Sequence, residues 1–124
     1  MQESNRVAPP EKYVTKYLSL SLQGSAEIII RAVSEESVSG ELLDDYAVVC
    51  QTGTVRVLVF EKWYYRVQNR LVLTVTLDDL GDRTRIHAAA GGGGESWLWK
   101  FDWFAGSDFA DVVWNTVEPY VCHG

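Results

Sequence analysis

Residues 54–78 read TVRVLVFEKWYYRVQNRLVLTVTLD, and this stretch decides the fold. Both of its halves alternate in steps of two, which is typical of β-strands. The odd-numbered apolar side chains of the two halves are Val55, Val57, Val59, Trp63, Leu71, Leu73, Val75 and Leu77. Val67-Gln68-Asn69 fits a three-residue hairpin loop, because Asn tolerates a positive φ. This loop pairs Trp63 with Leu73 and therefore predicts that the odd-numbered side chains of both strands form one buried face.

Further strands are predicted on both sides of this hairpin. Alternating patterns cover residues 13–22, 83–90 and 96–104. In the 83–90 strand the turn geometry buries Thr84, Ile86, Ala88 and Ala90 and turns Arg83, Arg85 and His87 outward. Residues 38–52 leave two placements open, a strand at 38–43 or at 46–51, with Asp44-Asp45 as a turn or bulge.

Two segments show the spacing of amphipathic helices. Residues 26–36 carry apolar side chains three and four apart, and Ser25 is the predicted N-cap. The second helix follows Gly106-Ser107-Asp108 and should end or kink at Pro119, which lacks a backbone N–H. Its apolar stripe consists of Phe109, Val112, Val113, Val117 and Tyr120.

The order of strand, helix, meander of strands and helix predicts an α+β fold. Strands joined by tight turns are antiparallel, and the two helices are the only apolar stripes that can cover the aliphatic sheet face. The prediction is a two-layer sandwich with both helices on one face. Residues 13–124 are expected to form one domain, and the polar residues 1–12 a disordered or extended tail.

The composition excludes several classes of protein. The chain has 124 residues, a mass of 13.9 kDa and a net charge of −6, which argues against a nucleic-acid-binding protein. It has no run of 18 apolar residues and no apolar leader, so neither a membrane span nor a secretory signal is expected. Two cysteines, Cys50 and Cys122, are too few for a disulfide scaffold and are interpreted as reduced thiols of a cytoplasmic protein.

Two resemblances follow from these elements. The order of elements resembles the helix-grip topology of the START and Bet v 1-like proteins, which implies an apolar ligand cavity between sheet and closing helix. The run VRVLVFEKWYYRVQNRLVLTVTL, the link Gly91–Gly94, an aromatic strand and the closing helix together look like a family of small uncharacterised bacterial proteins, over roughly residues 13–121. That second resemblance implies no activity.

A carboxylate and an aromatic stripe are the candidate ligand-binding groups. Glu61 lies on the predicted buried face, where it could act as a general acid or base, or could simply pair with an arginine near the strand end. Trp63, Trp97, Trp99 and Trp103 could line a pocket for an apolar ligand or fill the core beside the small Ala88 and Ala90. The sequence identifies no catalytic residue, no metal site and no cofactor.

The face opposite the predicted helices is also apolar. Its side chains on this interpretation are Leu58, Phe60, Tyr64 and Val72. An uncovered sheet face is normally polar, so this group predicts contact with a partner, most simply in a homodimer. The sequence therefore favours a non-enzymatic interaction module that associates with itself. The alternative is a small apolar-ligand binder or cyclase-like enzyme with a cavity between the sheet and the C-terminal helix.

Overall fold

The computed structural model describes residues 13–36, 40–64, 69–91 and 109–123. The elements in chain order are β1 (Tyr13–Leu18), α1 (Leu22–Glu36), β2 (Gly40–Cys50), β3 (Gly53–Tyr64), β4 (Asn69–Asp78), β5 (Thr84–Gly91) and α2 (Phe109–Val117), which a 3-10 turn (Glu118–Tyr120) follows. The predicted strand at 96–104 lies outside the described residues.

The described strands form one antiparallel sheet in the order β1-β5-β4-β3-β2. β2 to β5 form a meander, whereas β1 adds to the far edge beside β5. α1 connects β1 to β2 and therefore links the two edges of the sheet.

Both helices pack on the same face of this sheet, which confirms the predicted two-layer α+β fold. The side chains that meet there form one buried cluster of Leu18, Leu22, Ala26, Ile29, Val33, Leu58, Phe60, Leu71, Leu73, Val75, Leu77, Ile86, Ala88, Val113, Trp114 and Val117. Burial of these apolar side chains is the main stabilising contribution to the fold.

The predicted face of β3 was wrong. β3 pairs with β4 so that Phe60 lies opposite Leu73 and the paired ends are Tyr64 and Asn69. Four residues therefore separate the paired ends instead of three, and one added residue turns every side chain of the strand to the other face. Leu58 and Phe60 are fully buried under the helices.

The predicted faces of β4 and β5 are confirmed. Leu71, Leu73, Val75 and Leu77 of β4 are buried, as are Thr84, Ile86 and Ala88 of β5, and Ala90 is half-buried. Arg85 points away from the core and is exposed. In these strands the outward positions include threonine, arginine and histidine, so polarity alone selects the buried face.

Helix α1 begins four residues earlier than predicted. The N-cap is Ser21, whose Oγ accepts a hydrogen bond from the Gly24 N–H at 3.0 Å. Ser25 lies inside the helix, is fully buried and donates through its hydroxyl to the Ser21 carbonyl at 2.7 Å. The predicted strand over 13–22 was too long, because β1 ends at Leu18 and Leu22 is already the first residue of the helix.

β2 combines both of the alternatives that the sequence left open. It is one strand from Gly40 to Cys50, and its pairing with β3 shifts between Leu42 and Asp44. This irregularity is the bulge that the Asp44-Asp45 pair suggested. Helix α2 ends at Val117, before Pro119, as predicted. Cys50 and Cys122 are unpaired thiols.

The segment after α2 returns to the β1 edge of the sheet. The Ser19 N–H donates to the Tyr120 carbonyl at 2.8 Å, and the Cys122 N–H donates to the Tyr17 carbonyl at 2.8 Å. Leu18 forms an antiparallel bridge with Val121. These contacts cover the C-terminal end of the β1 edge.

Candidate interaction surface

The sheet face opposite α1 and α2, called the outer face below, carries a compact apolar group on β2, β3 and β4. We call this group the valine patch; its members are Tyr46, Val48, Val55, Val57, Val59, Trp63 and Val72. Strand pairing brings them together, because Val48 lies opposite Val55 and Tyr46 lies opposite Val57.

The valine patch is accessible to solvent. Tyr46 is 59% exposed and Val48 is 42% exposed, and both lie on the edge strand β2. The other members are half-buried by their neighbours on the sheet. Thr74 and Thr76 of β4 lie opposite Val59 and Val57, and Asp44 of β2 lies opposite Val59 on the other side, so two hydroxyls and one carboxylate border the patch.

Charged pairs lie around the valine patch. Arg70 donates to Glu61 at 2.6 Å, and Arg85 donates to Asp78 at 2.8 Å. The hydrogen bond to Asp78 raises the pKa of Arg85 above its usual value. An apolar centre with a polar rim is the usual anatomy of a protein–protein interface.

Beyond β4 the outer face becomes polar. The Thr15 hydroxyl and His87 Nδ1 are 2.7 Å apart across β1 and β5. The guanidinium of Arg83 lies 4.7 Å from the centre of the Tyr17 ring. The apolar surface is thus confined to the half of the sheet that β2, β3 and β4 form.

Two of the five predicted ligand-binding residues lie in the described part of the chain, and neither lies between the sheet and α2. Glu61 and Trp63 occupy odd positions of β3 and lie on the outer face, so their predicted location beneath the helices was wrong. Glu61 pairs with Arg70, which is the simpler of its two predicted roles. Trp97, Trp99 and Trp103 lie outside the described residues.

The outer-face group that the sequence proposed was also partly wrong. Leu58 and Phe60 belong to the core, Val72 lies on the outer face as predicted, and the side chain of Tyr64 is outside the described part. A signal for the right choice is present in β3 itself. Its even positions carry the larger Leu58 and Phe60, which fill a core better than the valines at its odd positions.

A polar cleft lies at the other side of the sheet, beside the start of α1. Its lining includes Ser21, Gln23, Asp45, Arg56 and Asp79. Arg56 makes two hydrogen bonds to Asp45, at 2.8 and 2.7 Å, and these bonds hold the pKa of the Asp45 carboxyl below its usual value. The charge of Arg56 is thereby balanced within the cleft, which does not favour an anion site.

Neither a metal-binding cluster nor a membrane-spanning helix is found in the described residues. They contain no group of three or more histidine, cysteine, aspartate or glutamate side chains that could hold a metal ion. Within the same residues no helix combines the length and the apolar character needed to cross a bilayer.

The fold and surface define an α+β sandwich that exposes half of one sheet face as an apolar patch. The chain belongs to a family of unknown function, DUF6054, whose profile matches residues 12–121. Comparison with curated proteins and with solved structures finds no match. Membership of this family does not by itself indicate an activity, a relationship to helix-grip proteins or a source organism.

Proposed function

We propose that this protein is a non-enzymatic interaction module that associates with a second copy of itself through the valine patch. The observation that carries the proposal is the position of this patch on the sheet face that neither helix covers. An apolar group on an uncovered sheet face is costly to leave in water, and covering it with the same group of another copy removes that cost.

Two ion pairs at the rim of the valine patch are compatible with contact between two copies. Glu61 and Arg70 already neutralise each other at the rim, as do Asp78 and Arg85. Two outer faces can therefore approach without burying an unpaired charge at these rim positions, which would be strongly unfavourable. A two-fold contact of this kind uses the same patch on both copies.

The test is the mass of the protein in solution with one charge placed in the patch. Val57→Lys puts an ammonium at the centre of the proposed contact, and light scattering should show a halved mass over roughly 1–500 μM protein. Leu80→Lys adds the same charge at an exposed apolar position in the β4–β5 turn, away from the valine patch, and should leave the mass unchanged.

A milder variant guards against misfolding of the lysine variant. Val57→Thr combined with Val59→Thr keeps the branched shape that suits a strand and makes the patch polar. Circular dichroism and the melting temperature establish whether each variant is folded. A folded threonine variant with the mass of the wild type, or a wild type that is monomeric throughout, would overturn the proposal.

A further inference from the structure

We propose that the free edge of β2 forms a second contact between copies, in which Tyr46–Cys50 pair antiparallel with Tyr46–Cys50 of another copy about a two-fold axis at Val48. This contact differs from the valine patch contact because it uses backbone groups at a strand edge, although Tyr46 and Val48 belong to both surfaces. It goes beyond the proposed function by naming a second surface and its register.

The two edges of the sheet differ in the described residues. The β1 edge is covered at its C-terminal end by the backbone bonds of Tyr120 and Cys122. The β2 edge has no such cover from the described parts of the chain, and its side chains are exposed, with Val49 at 79%. An open edge presents unpaired N–H and C=O groups that can bind another strand.

The hydrogen bonds of Thr54 show which β2 groups point outward. Thr54 lies opposite Val49, but its N–H and its carbonyl both bond to Asp79, on the side of β4. In an antiparallel ladder this makes Val49 and Thr54 a pair that is not hydrogen-bonded, so the Val49 N–H and C=O face the open edge. Because the direction of the backbone groups alternates along a strand, the Ala47 N–H and C=O also face the open edge.

These outward groups fit a symmetric register. If Val48 lies on the two-fold axis, Ala47 of each copy exchanges two hydrogen bonds with Val49 of the other. Tyr46 then lies opposite Cys50, and Val48 lies opposite its own equivalent. Four backbone groups of each copy gain partners in this pairing.

The charges along β2 agree with this register. The devices that protect strand edges, acidic side chains and a bulge, all lie in its first half, at Glu41, Leu43, Asp44 and Asp45. The half from 46 to 50 has neither. In the proposed register Asp45 faces the Gln51 position of the other copy and not a second carboxylate.

The pairing closes on itself. Each copy uses its β2 edge once, so an edge-paired dimer has no further β2 edge to extend into a filament. Together with the valine patch contact it gives a closed tetramer when the two two-fold axes intersect at right angles. The two contacts are separable by variants that alter one of them at a time.

Cysteine cross-linking tests the register directly. In a Cys50→Ser, Cys122→Ser, Val57→Lys background, where the added charge removes the valine patch contact, Val48→Cys places two thiols on a non-hydrogen-bonded pair with Cα atoms about 4.5 Å apart, within disulfide range. Val49→Cys is the matched control, because its two copies lie out of register, beyond the roughly 7 Å that a disulfide spans. Val48→Cys should cross-link at least about tenfold faster, although Val49 is the more exposed position.

A proline variant tests the hydrogen bonds. Val49→Pro removes an N–H that points to the open edge and leaves the β2–β3 bonds intact, whereas Val49→Thr keeps that N–H. The proline variant should be folded and have half the mass of the wild type. The threonine variant should keep the full mass.

The outcomes separate this proposal from the proposed function. If Val49→Pro keeps the wild-type mass, or Val48→Cys cross-links no faster than Val49→Cys, the edge contact is wrong while the valine patch stands on the Val57→Lys result. If Val49→Pro halves the mass and Val57→Lys does not, the edge contact holds and the proposed function fails. A monomeric wild type overturns both.

Discussion

Thr54 and Asp79 bind each other through two hydrogen bonds at the end of the sheet. The Thr54 N–H donates to Asp79 Oδ1 at 2.7 Å, and the Asp79 N–H donates to the Thr54 carbonyl at 3.2 Å. The two residues join the start of β3 to the turn that follows β4. Asp79 thereby lies against Gly53, where an added Cβ would be 2.5 Å from Oδ1 and 2.7 Å from the Asp79 carbonyl oxygen.

Gly53→Ala is therefore expected to destabilise the fold. Gly53 has a φ of 154°, which side-chain-bearing residues rarely adopt, and the Cβ would collide with the backbone of Asp79. The free energy of unfolding in urea should fall by about 1–3 kcal/mol. Gly81→Ala is the control, since a Cβ there meets nothing within 4 Å, and it should change stability by less than about 0.5 kcal/mol.

The face assignment of β3 predicts a large difference between neighbouring residues. Leu58→Ala should cost about 2–5 kcal/mol, because Leu58 is fully buried between sheet and helices. Val59→Ala should cost about 1 kcal/mol or less, because Val59 is half-buried on the outer face. If denaturant unfolding showed Val59→Ala to be more destabilising than Leu58→Ala, the register predicted from a three-residue loop would be the correct one.

The sequence was sufficient to predict the described strands and helices and the buried faces of β4 and β5, but it was not sufficient to predict the buried face of β3. β4 alternates leucine and valine with threonine at most positions, so polarity marks the core face. In β3 valines alternate with Leu58 and Phe60, and both faces are apolar. The prediction relied on the loop length, and a count of three residues instead of four moved Glu61 and Trp63 to the wrong face, although the larger Leu58 and Phe60 favoured the even-numbered face as the core.

The sequence therefore predicted correctly that the outer face carries an apolar group, but it did not predict which residues form that group. An apolar group on an uncovered face is a property of a strand that is apolar on both sides, whichever side is buried. Tyr46 and Val48 were missed because β2 had two possible placements, and only a paired β2 brings them beside Val55 and Val57.

The capping arrangement of α1 predicts that two serines respond differently to truncation. Ser21→Ala removes the oxygen that accepts the Gly24 N–H and should lower the free energy of unfolding by about 0.5–2 kcal/mol. Ser34→Ala removes an exposed hydroxyl that bonds to the Ile30 carbonyl inside the helix and should change it by less than about 0.5 kcal/mol. Equal losses for both would place the helix start elsewhere.

The Asp45–Arg56 pair gives the stability a dependence on acid pH. The hydrogen bond from Arg56 lowers the pKa of Asp45 below 3.8, so the folded state favours the carboxylate. A depressed pKa stabilises the fold above the unfolded value and loses that effect as the pH falls through the folded value. Because both side chains remain partly exposed to solvent, the contribution should be only about 0.2–1 kcal/mol.

A double-mutant cycle of Asp45→Asn and Arg56→Gln, followed by urea unfolding, isolates the contribution of the ion pair to the free energy of unfolding. The coupling between the two residues should be present near pH 6 and should be lost as the pH falls through the lowered pKa of folded Asp45. A coupling that persists at the lower pH would mean that the pair acts through packing and not through charge.

Self-association should strengthen as salt is added at low ionic strength. Each copy carries a net charge of −6, so two copies repel each other, while the members of the valine patch and the segment Tyr46–Cys50 carry no charge. Raising NaCl from about 10 to about 150 mM shortens the screening length from about 30 Å to about 8 Å and should lower the dissociation constant several-fold. Sedimentation equilibrium over a salt series measures this, with circular dichroism to show that the fold is unchanged. If salt instead dissociates the copies, the rim pairs such as Glu61–Arg70 have exchanged partners across the contact, and the attraction is ionic rather than apolar.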